Sequence, residues 1–317
     1  MDHVDDYTVV NSLRRALRGS DQDLKRDCIL EIQQRVAIND LNKARIAAAG
    51  GIRLISSAMC NHVGNVQIQQ YGCGALKTLA NNPDSNQLEI VTAGGINAIV
   101  TAMHMHNDNL AVQQYSCDIL LTLVRNHDYK LEIINARGVN AIVAAMLWHD
   151  NDVVVQREGC AVIMHLTKTQ EDNQMETVPT CAIRVIVAAL ISQKTDPEVQ
   201  QYACGALMNL AWNHEGNQLA IACAGGIPAI VAAMNSHGTN YMVQQKGCEA
   251  LECLSRDHEC NQRAIACAGG IPAIVAAMNS HTTNPEVQQY ACGALMIPCQ
   301  VHECSKSIFL NHIVCTM

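Results

Sequence analysis

Residues 220–237 read AIACAGGIPAIVAAMNSH, and residues 264–281 read AIACAGGIPAIVAAMNSH again, 44 positions further on. A catalytic centre needs its residues once. An unchanged copy marks an architecture in which equal units stack, each offering its neighbour the same packing surface. Outward from this pair, a Val or Ile column recurs at Ile68, Val112, Val155, Val199, Val243 and Val287, in steps of 44, 43, 44, 44 and 44. A Cys follows each five residues later, at Cys73, Cys117, Cys160, Cys204, Cys248 and Cys292, and a Leu column runs through Leu79, Leu123, Leu166, Leu210 and Leu254. The self-similarity spans residues 42–296 with a period of 43–44.

One unit, 217–260, reads as three helices. Asn217 is placed to cap a short first helix through its side-chain oxygen. Gly225 and Gly226 stop that helix, since glycine accepts the left-handed cap conformation. Pro228 then falls in the first turn of a second helix, where its missing N–H costs nothing. The third and longest helix starts near Met242 and runs to about Ser255. In the preceding unit it reads PEVQQYACGALMNLA, with Val199, Ala203, Ala206 and Leu210 on one face at helical spacing. No unit of this size buries its apolar faces alone, so the copies must stack.

Composition agrees. Nearly half of the residues are apolar (49%) but only 3% are aromatic, with a single Phe, so the interior is built of small and aliphatic side chains, as an all-helical stack requires. A net charge of −8 and a pI near 5.9 argue against nucleic acid as the main partner. No run approaches the roughly 18 uninterrupted apolar residues of a membrane span, so membrane insertion is not expected. The N-terminal MDHVDDYTVV lacks the apolar core of a signal peptide. Sixteen Cys in such a chain fit a reducing compartment better than a disulfide framework. The expected location is cytoplasmic, with the nucleus left open.

The motif GGIPAIVAAM followed by VQQYACGALMNLA, at a period near 44, resembles the armadillo repeat over residues 42–296. The near-identity of the units is similar to armadillo regions of leucine-rich-repeat kinases and of stand-alone protist proteins. The resemblance implies an all-α fold: a right-handed superhelical solenoid of about six three-helix repeats, whose third helices line a concave groove. It also implies a non-catalytic scaffold that takes a protein or extended peptide there. Nuclear import adaptors share the architecture but carry a Trp and an Asn four residues apart on successive third helices. Here the Trp position holds Gly74, Asp118, Ala161, Gly205, Glu249 or Gly293, and the Asn occurs only at Asn209, which speaks against that role.

Chemistry finds little support. The register cysteines point to the side of the third helix that packs on neighbours, and sulfurs one repeat apart are too distant for shared tetrahedral ligation. They read as small hydrophobes. His62, His106, His149, His237 and His281 end second helices, and His127, His214, His258 and His302 follow third helices. Both columns read as polar helix termini. There is no Walker-type loop, HExxH or GxSxG, so the expectation is no enzyme, no cofactor and no metal site.

The candidate groove face comprises the third, fourth, seventh and eleventh positions of each third helix, counted from the Val column. The third holds Gln70, Gln114, Gln201, Gln245 and Gln289. The fourth holds Tyr71, Tyr115, Tyr202 and Tyr290, four of the seven Tyr in the chain. Gly74, Gly205 and Gly293 at the seventh leave space beside them, and Asn209 stands at the eleventh. Gln and Tyr suit an extended backbone with packed side chains. The alternative is that these Tyr only seal neighbouring repeats. Charges of both signs, Lys77, Arg157 and Lys246 against Asp118, Glu158, Glu249 and Glu252, leave the charge of a ligand open.

Residues 1–41 read as an N-terminal helical cap, with Leu24–Ala37 as a diverged third helix and Cys28 one residue off register. Residues 297–317 read as a degraded or truncated C-terminal repeat, because Pro298 stands in the Leu column, where it breaks a helix. Two functional readings follow: an interaction scaffold, or the regulatory armadillo part of a larger kinase-like protein. The oligomeric state is left open by these features.

Overall fold

The computed structural model describes residues 5–81, 84–168, 180–256 and 258–296. The expected degraded repeat at 297–317 lies outside them. All regular structure among the described residues is helical, and the chain divides into two compact units, residues 1–149 and 150–317.

In the first unit, α1 (Asp6–Ala16) and α2 (Gln22–Val36) form the start of the stack. They occupy the places of a second and a third helix. Arg35 on α2 reaches the buried Asp6 at 3.2 Å, and Arg14 on α1 donates to Ala49 O at 2.9 Å. One full repeat follows as α3 (Asp40–Ala48), α4 (Gly51–Asn61) and α5 (Val66–Ala80), and a second as α6 (Asp84–Thr92), α7 (Gly95–Met105) and α8 (Leu110–Val124). The third repeat opens with α9 (Lys130–Asn135) and α10 (Gly138–Trp148).

The second unit begins with the third helix of that repeat, α11 (Val153–Thr167). It continues through α12 (Thr180–Ser192) and α13 (Pro197–Ala211), then α14 (Glu215–Cys223), α15 (Gly226–Ser236) and α16 (Tyr241–Ser255), and finally α17 (Glu259–Cys267), α18 (Gly270–Ser280) and α19 (Pro285–Met296). Among the described residues six third helices follow α2, namely α5, α8, α11, α13, α16 and α19, in agreement with about six repeats. Within each unit the third helices pack side by side: α2 on α5 on α8, and α11 on α13 on α16 on α19.

The sequence columns become the core. Val199, Ala203, Ala206 and Leu210 are all buried, and so are Cys73, Cys117, Cys160, Cys204 and Cys248. Burial pushes the Cys73 and Cys204 thiols up to about 12, which keeps them protonated as packing groups at neutral pH.

Asn217 does not cap its helix. His214 does: its Nδ1 accepts from Asn217 N at 3.1 Å, and His258 does the same for Asn261 at 3.3 Å. Asn217 instead lies inside α14 and donates through Nδ2 to Leu210 O at 2.9 Å, tying the first helix to the end of the third helix before it. The side chain that starts a helix here thus lies one turn earlier than the apolar pattern suggests. The other His column also has a structural use. His106 Nε2 bonds Val63 O at 2.7 Å, His149 bonds Asn107 O at 2.8 Å, His237 bonds Lys194 O at 2.9 Å and His281 bonds Gly238 O at 2.9 Å. Each imidazole pins its loop to the loop one repeat back. Where the column changes to Gln193, the amide makes the same bond to Asp150 O at 3.1 Å.

One repeat carries a local misfit. Gly50, Gly94, Gly225 and Gly269 adopt φ of 83°, 74°, 81° and 79° at the turn into the second helix, and the equivalent turn before α10 places Arg137 at φ 62°. A side chain in this region costs about 1–2 kcal/mol, part of which a glycine would return as unfolded-state entropy. Arg137→Gly is therefore expected to stabilise the protein by about 0.5–1 kcal/mol, read as a higher urea midpoint. A lower midpoint would show that the arginine makes a compensating contact.

Candidate functional site

The VQQY motif divides its two glutamines by the helical turn between them. The first points inward. Gln69 Nε2 donates to Met59 O at 3.0 Å and His62 O at 2.9 Å, and Gln113 donates to Met103 O at 3.1 Å and His106 O at 2.8 Å. Gln200, Gln244 and Gln288 repeat the arrangement in the second unit. These amides satisfy carbonyls left over at the end of each second helix. The second Gln and the Tyr are rotated outward, and they form the candidate face.

In the first unit that face lies on α5 and α8. Gln70, Tyr71, Gln114 and Tyr115 are all half-buried. The seventh position is not empty: a Cβ on Gly74 would stand 3.2 Å from Tyr115 Cε2, so the ring already lies over the glycine of the preceding helix. Lys77 sits 5.7 Å from the centre of the same ring and 2.6 Å from Asp118. Tyr115 thus packs between repeats and still shows part of its surface.

In the second unit the face lies on α11, α13, α16 and α19. Gln201, Tyr202 and Tyr290 are half-buried and Gln289 is exposed. Gln245 is only 7% exposed, so this member of the column lies deeper than the rest. Asn209 donates to Met164 O at 2.8 Å and to Thr167 Oγ1 at 3.3 Å, so its amide nitrogen is used within the stack. Around Gly205, a Cβ would stand 2.6 Å from Met164 Sδ and 3.6 Å from the Lys246 stem.

The charges of both signs neutralise one another. Arg157 pairs with Glu198 at 3.3 Å, Lys246 with Glu249 at 2.7 Å and Arg256 with Glu252 at 3.1 Å. Burial and then the Glu249 carboxylate, to which its hydroxyl is hydrogen-bonded, raise the Tyr290 pKa above the ordinary value. The positions expected from the sequence end at the eleventh, and a pair three places beyond it was missed. There the half-exposed Trp212 ring stacks under the Arg256 guanidinium at 4.7 Å. The signal is present in the chain, since Trp212 is one of only two Trp and both residues hold the same place in successive repeats. Among the described residues, no group of three His, Cys, Asp or Glu stands together to hold a metal, and no single helix is long and apolar enough to cross a membrane.

Three-helix repeats with a left-handed, mostly glycine turn before the second helix define a small set of folds. The family model described as "LRRK2 ARM repeat" matches residues 49–170. Over those residues the chain is similar to armadillo repeats. Solved structures agree on the fold. An engineered protein, a Northeast Structural Genomics Consortium crystal structure, superposes with a TM-score of 0.72 at 24% identity over 92% of this chain and 68% of its own. A chain from work on the phosphorylation switch that controls the interaction between cadherin and β-catenin superposes with a TM-score of 0.79 at 16% identity. It is matched over 93% of this chain, which spans only 53% of its length. No curated protein matches in sequence.

Proposed function

We propose that this armadillo chain is a non-catalytic scaffold or adaptor in the cytoplasm. In this reading it holds an extended protein segment against the third-helix face. The observation that carries the reading is the division of labour in VQQY. The first Gln is consumed inside the repeat at Gln69, Gln113, Gln200, Gln244 and Gln288, whereas the second Gln and the Tyr recur outward on α5, α8, α13 and α19 without being required for helix formation. Half-buried Tyr offers contact area at low entropic cost, and Gln can pair with a peptide backbone. The neighbouring ion pairs leave a face without strong net sign, which suits a segment of mixed polarity better than a nucleic-acid backbone. The buried thiol column packs in its reduced form, which supports a reducing compartment.

Selection of a displayed random peptide library on the intact chain tests this, with affinities measured by fluorescence anisotropy. The double variants Tyr71→Ala/Tyr115→Ala and Tyr202→Ala/Tyr290→Ala are the comparison. At least one pair is expected to weaken enriched peptides by about tenfold or more, the scale of aromatic hot spots. Unchanged affinity in both would remove the face from consideration.

The match to the LRRK2 ARM repeat model favours a second reading, a regulatory armadillo region of a larger kinase-like protein. Full-length transcripts read across the codon for Ile297 decide it. A catalytic domain in frame would support it, and a stop codon in every transcript would end it.

A further inference from the structure

Two register positions that the later repeats use internally stand unused side by side near the start of the stack. The inner Gln of VQQY spends its amide on carbonyls at Gln69, Gln113, Gln200, Gln244 and Gln288, but its place on α2 is taken by Lys25. Lys25 is only 4% exposed, yet among the described residues its ammonium has no hydrogen bond and no ion pair. The imidazoles of His106, His149, His237 and His281 each bond a carbonyl one repeat back, whereas the His62 ring bonds none of the described groups. A cation held out of water without a counter-charge is costly. A Lys kept where six repeats hold Gln therefore points to an anion supplied from outside.

Both groups belong to one cleft. It has a volume of about 590 Å³ and is lined by Gln22 at the start of α2 and by residues 61–67, which join α4 to α5. Asn65 Nδ2 donates to Gln22 Oε1 at 3.1 Å and ties its two sides together. Lys25 follows Gln22 by three residues, on the same side of α2. Burial, and then the Lys25 charge, lower the pKa of His62 in the cleft wall. Arg18, exposed in the α1–α2 turn, adds a second cation without an ion pair. The carboxylates of α2 nearby are engaged: Asp23 and Asp27 by Arg26, and Asp21 as the cap of the helix. The 15-residue α5 brings the positive end of its dipole to the same place.

We propose that this cleft binds a phosphate monoester carried on a side chain of a partner segment, of the phosphoserine type. A phosphate presents three acceptor oxygens, enough for Lys25, His62 and the Gln67 amide together, where a carboxylate presents two. Lysine serves such a group as a point charge on a flexible stem. The volume exceeds what a bare ion fills, and no aromatic side chain lines the cleft to hold a base or another flat ring. A phosphorylated side chain fits those walls better than a nucleotide does. None of the Gln and Tyr of the third-helix face takes part, so the site stands independently of that face.

Isothermal titration calorimetry on the intact chain tests the proposal, with a blocked phosphoserine peptide flanked by two Ala on each side as the probe. The same peptide without phosphate and inorganic phosphate alone are the comparisons. The phosphopeptide is expected to bind with Kd on the order of 0.1–1 mM, inorganic phosphate at least about tenfold more weakly, and the unmodified peptide not measurably. Lys25→Gln restores the residue of the other repeats, so it should keep the wild-type urea midpoint or raise it while weakening the phosphopeptide more than about tenfold. His62→Ala, with its helical circular dichroism unchanged, should weaken it about threefold or more. No binding of the phosphopeptide up to about 5 mM, or a Lys25→Gln that binds as tightly as wild type, would overturn the proposal. Equal affinity for inorganic phosphate would assign the cleft to the free ion, and equal affinity for the unmodified peptide would assign it to a main chain. Either result would overturn it as well.

Discussion

Gly226→Val is expected to destabilise the second unit by more than about 3 kcal/mol, whereas Gly225→Ala, one residue earlier, should cost only about 1 kcal/mol. The two glycines are present for different reasons. Gly225 has φ 81° and nothing within 4 Å of a Cβ, so a side chain there meets only backbone strain. Gly226 begins α15 in a helical conformation, but a Cβ on it would stand 2.5 Å from Ile221 Cγ2 and 2.9 Å from Ile221 O. The methyl could rotate. The carbonyl belongs to the backbone of α14 and cannot move without shifting the helix.

The same collision recurs at Gly51, Gly95, Gly138 and Gly270, each against the Ile five residues earlier, so it is a property of the repeat. A branched side chain adds two further atoms to a space that does not admit one. Urea unfolding of the two variants beside the wild type separates the mechanisms. Equal losses would mean that close helix packing is not what fixes the second glycine.

The second large effect is expected from Gln113→Glu. Gln113 is fully buried, and its amide nitrogen serves the carbonyls of Met103 and His106. A carboxylate in its place would aim negative charge at two carbonyl oxygens out of contact with water, and both carbonyls would lose their donor. Orphaned buried acceptors cost about 1–3 kcal/mol each, and the buried charge adds to that. Burial and the facing carbonyls both disfavour the ionised form, so the folded-state pKa of the new Glu lies above its unfolded value. By linkage, stability is then greatest in acid, where the group is protonated in both states, and falls as the pH rises past the ordinary Glu range. Wild-type protein shows no such component, because the amide does not titrate. Chemical denaturation of both proteins across the acid range is the measurement. A variant as stable as wild type at neutral pH would show that the inner Gln column is dispensable.

Much of the architecture is legible in the amino-acid sequence. The period locates the repeats, and the glycine–glycine step places the start of α4, α7, α15 and α18 to within a residue. The Val, Cys and Leu columns name the core. These signals survive in the sequence because they are local. A turn needs its glycine where it stands, and a buried helix face repeats at 3.6 residues wherever the helix lies. The candidate face is legible only in outline. Its Gln and Tyr columns stand out in the sequence, while the Trp212–Arg256 pair and the depth of Gln245 do not.

Tertiary structure decided how equal residues are used. The sequence pointed to Asn217 as the cap of its helix, and only the return of the chain toward Leu210 gave the cap to His214. The imidazoles of His106, His149, His237 and His281 looked like loop polarity, yet they bond carbonyls 42 or 43 residues away. Bonds of that span exist only once repeats are stacked, and no short window of sequence contains both partners. The duplicated stretches make the limit plain: Cys204 and Cys292 have the same twelve-residue context, and one is buried and the other exposed. The sequence determined what surface each repeat presents. What lies against that surface was decided by the stack, because burial belongs to a contact between two segments and not to either segment alone.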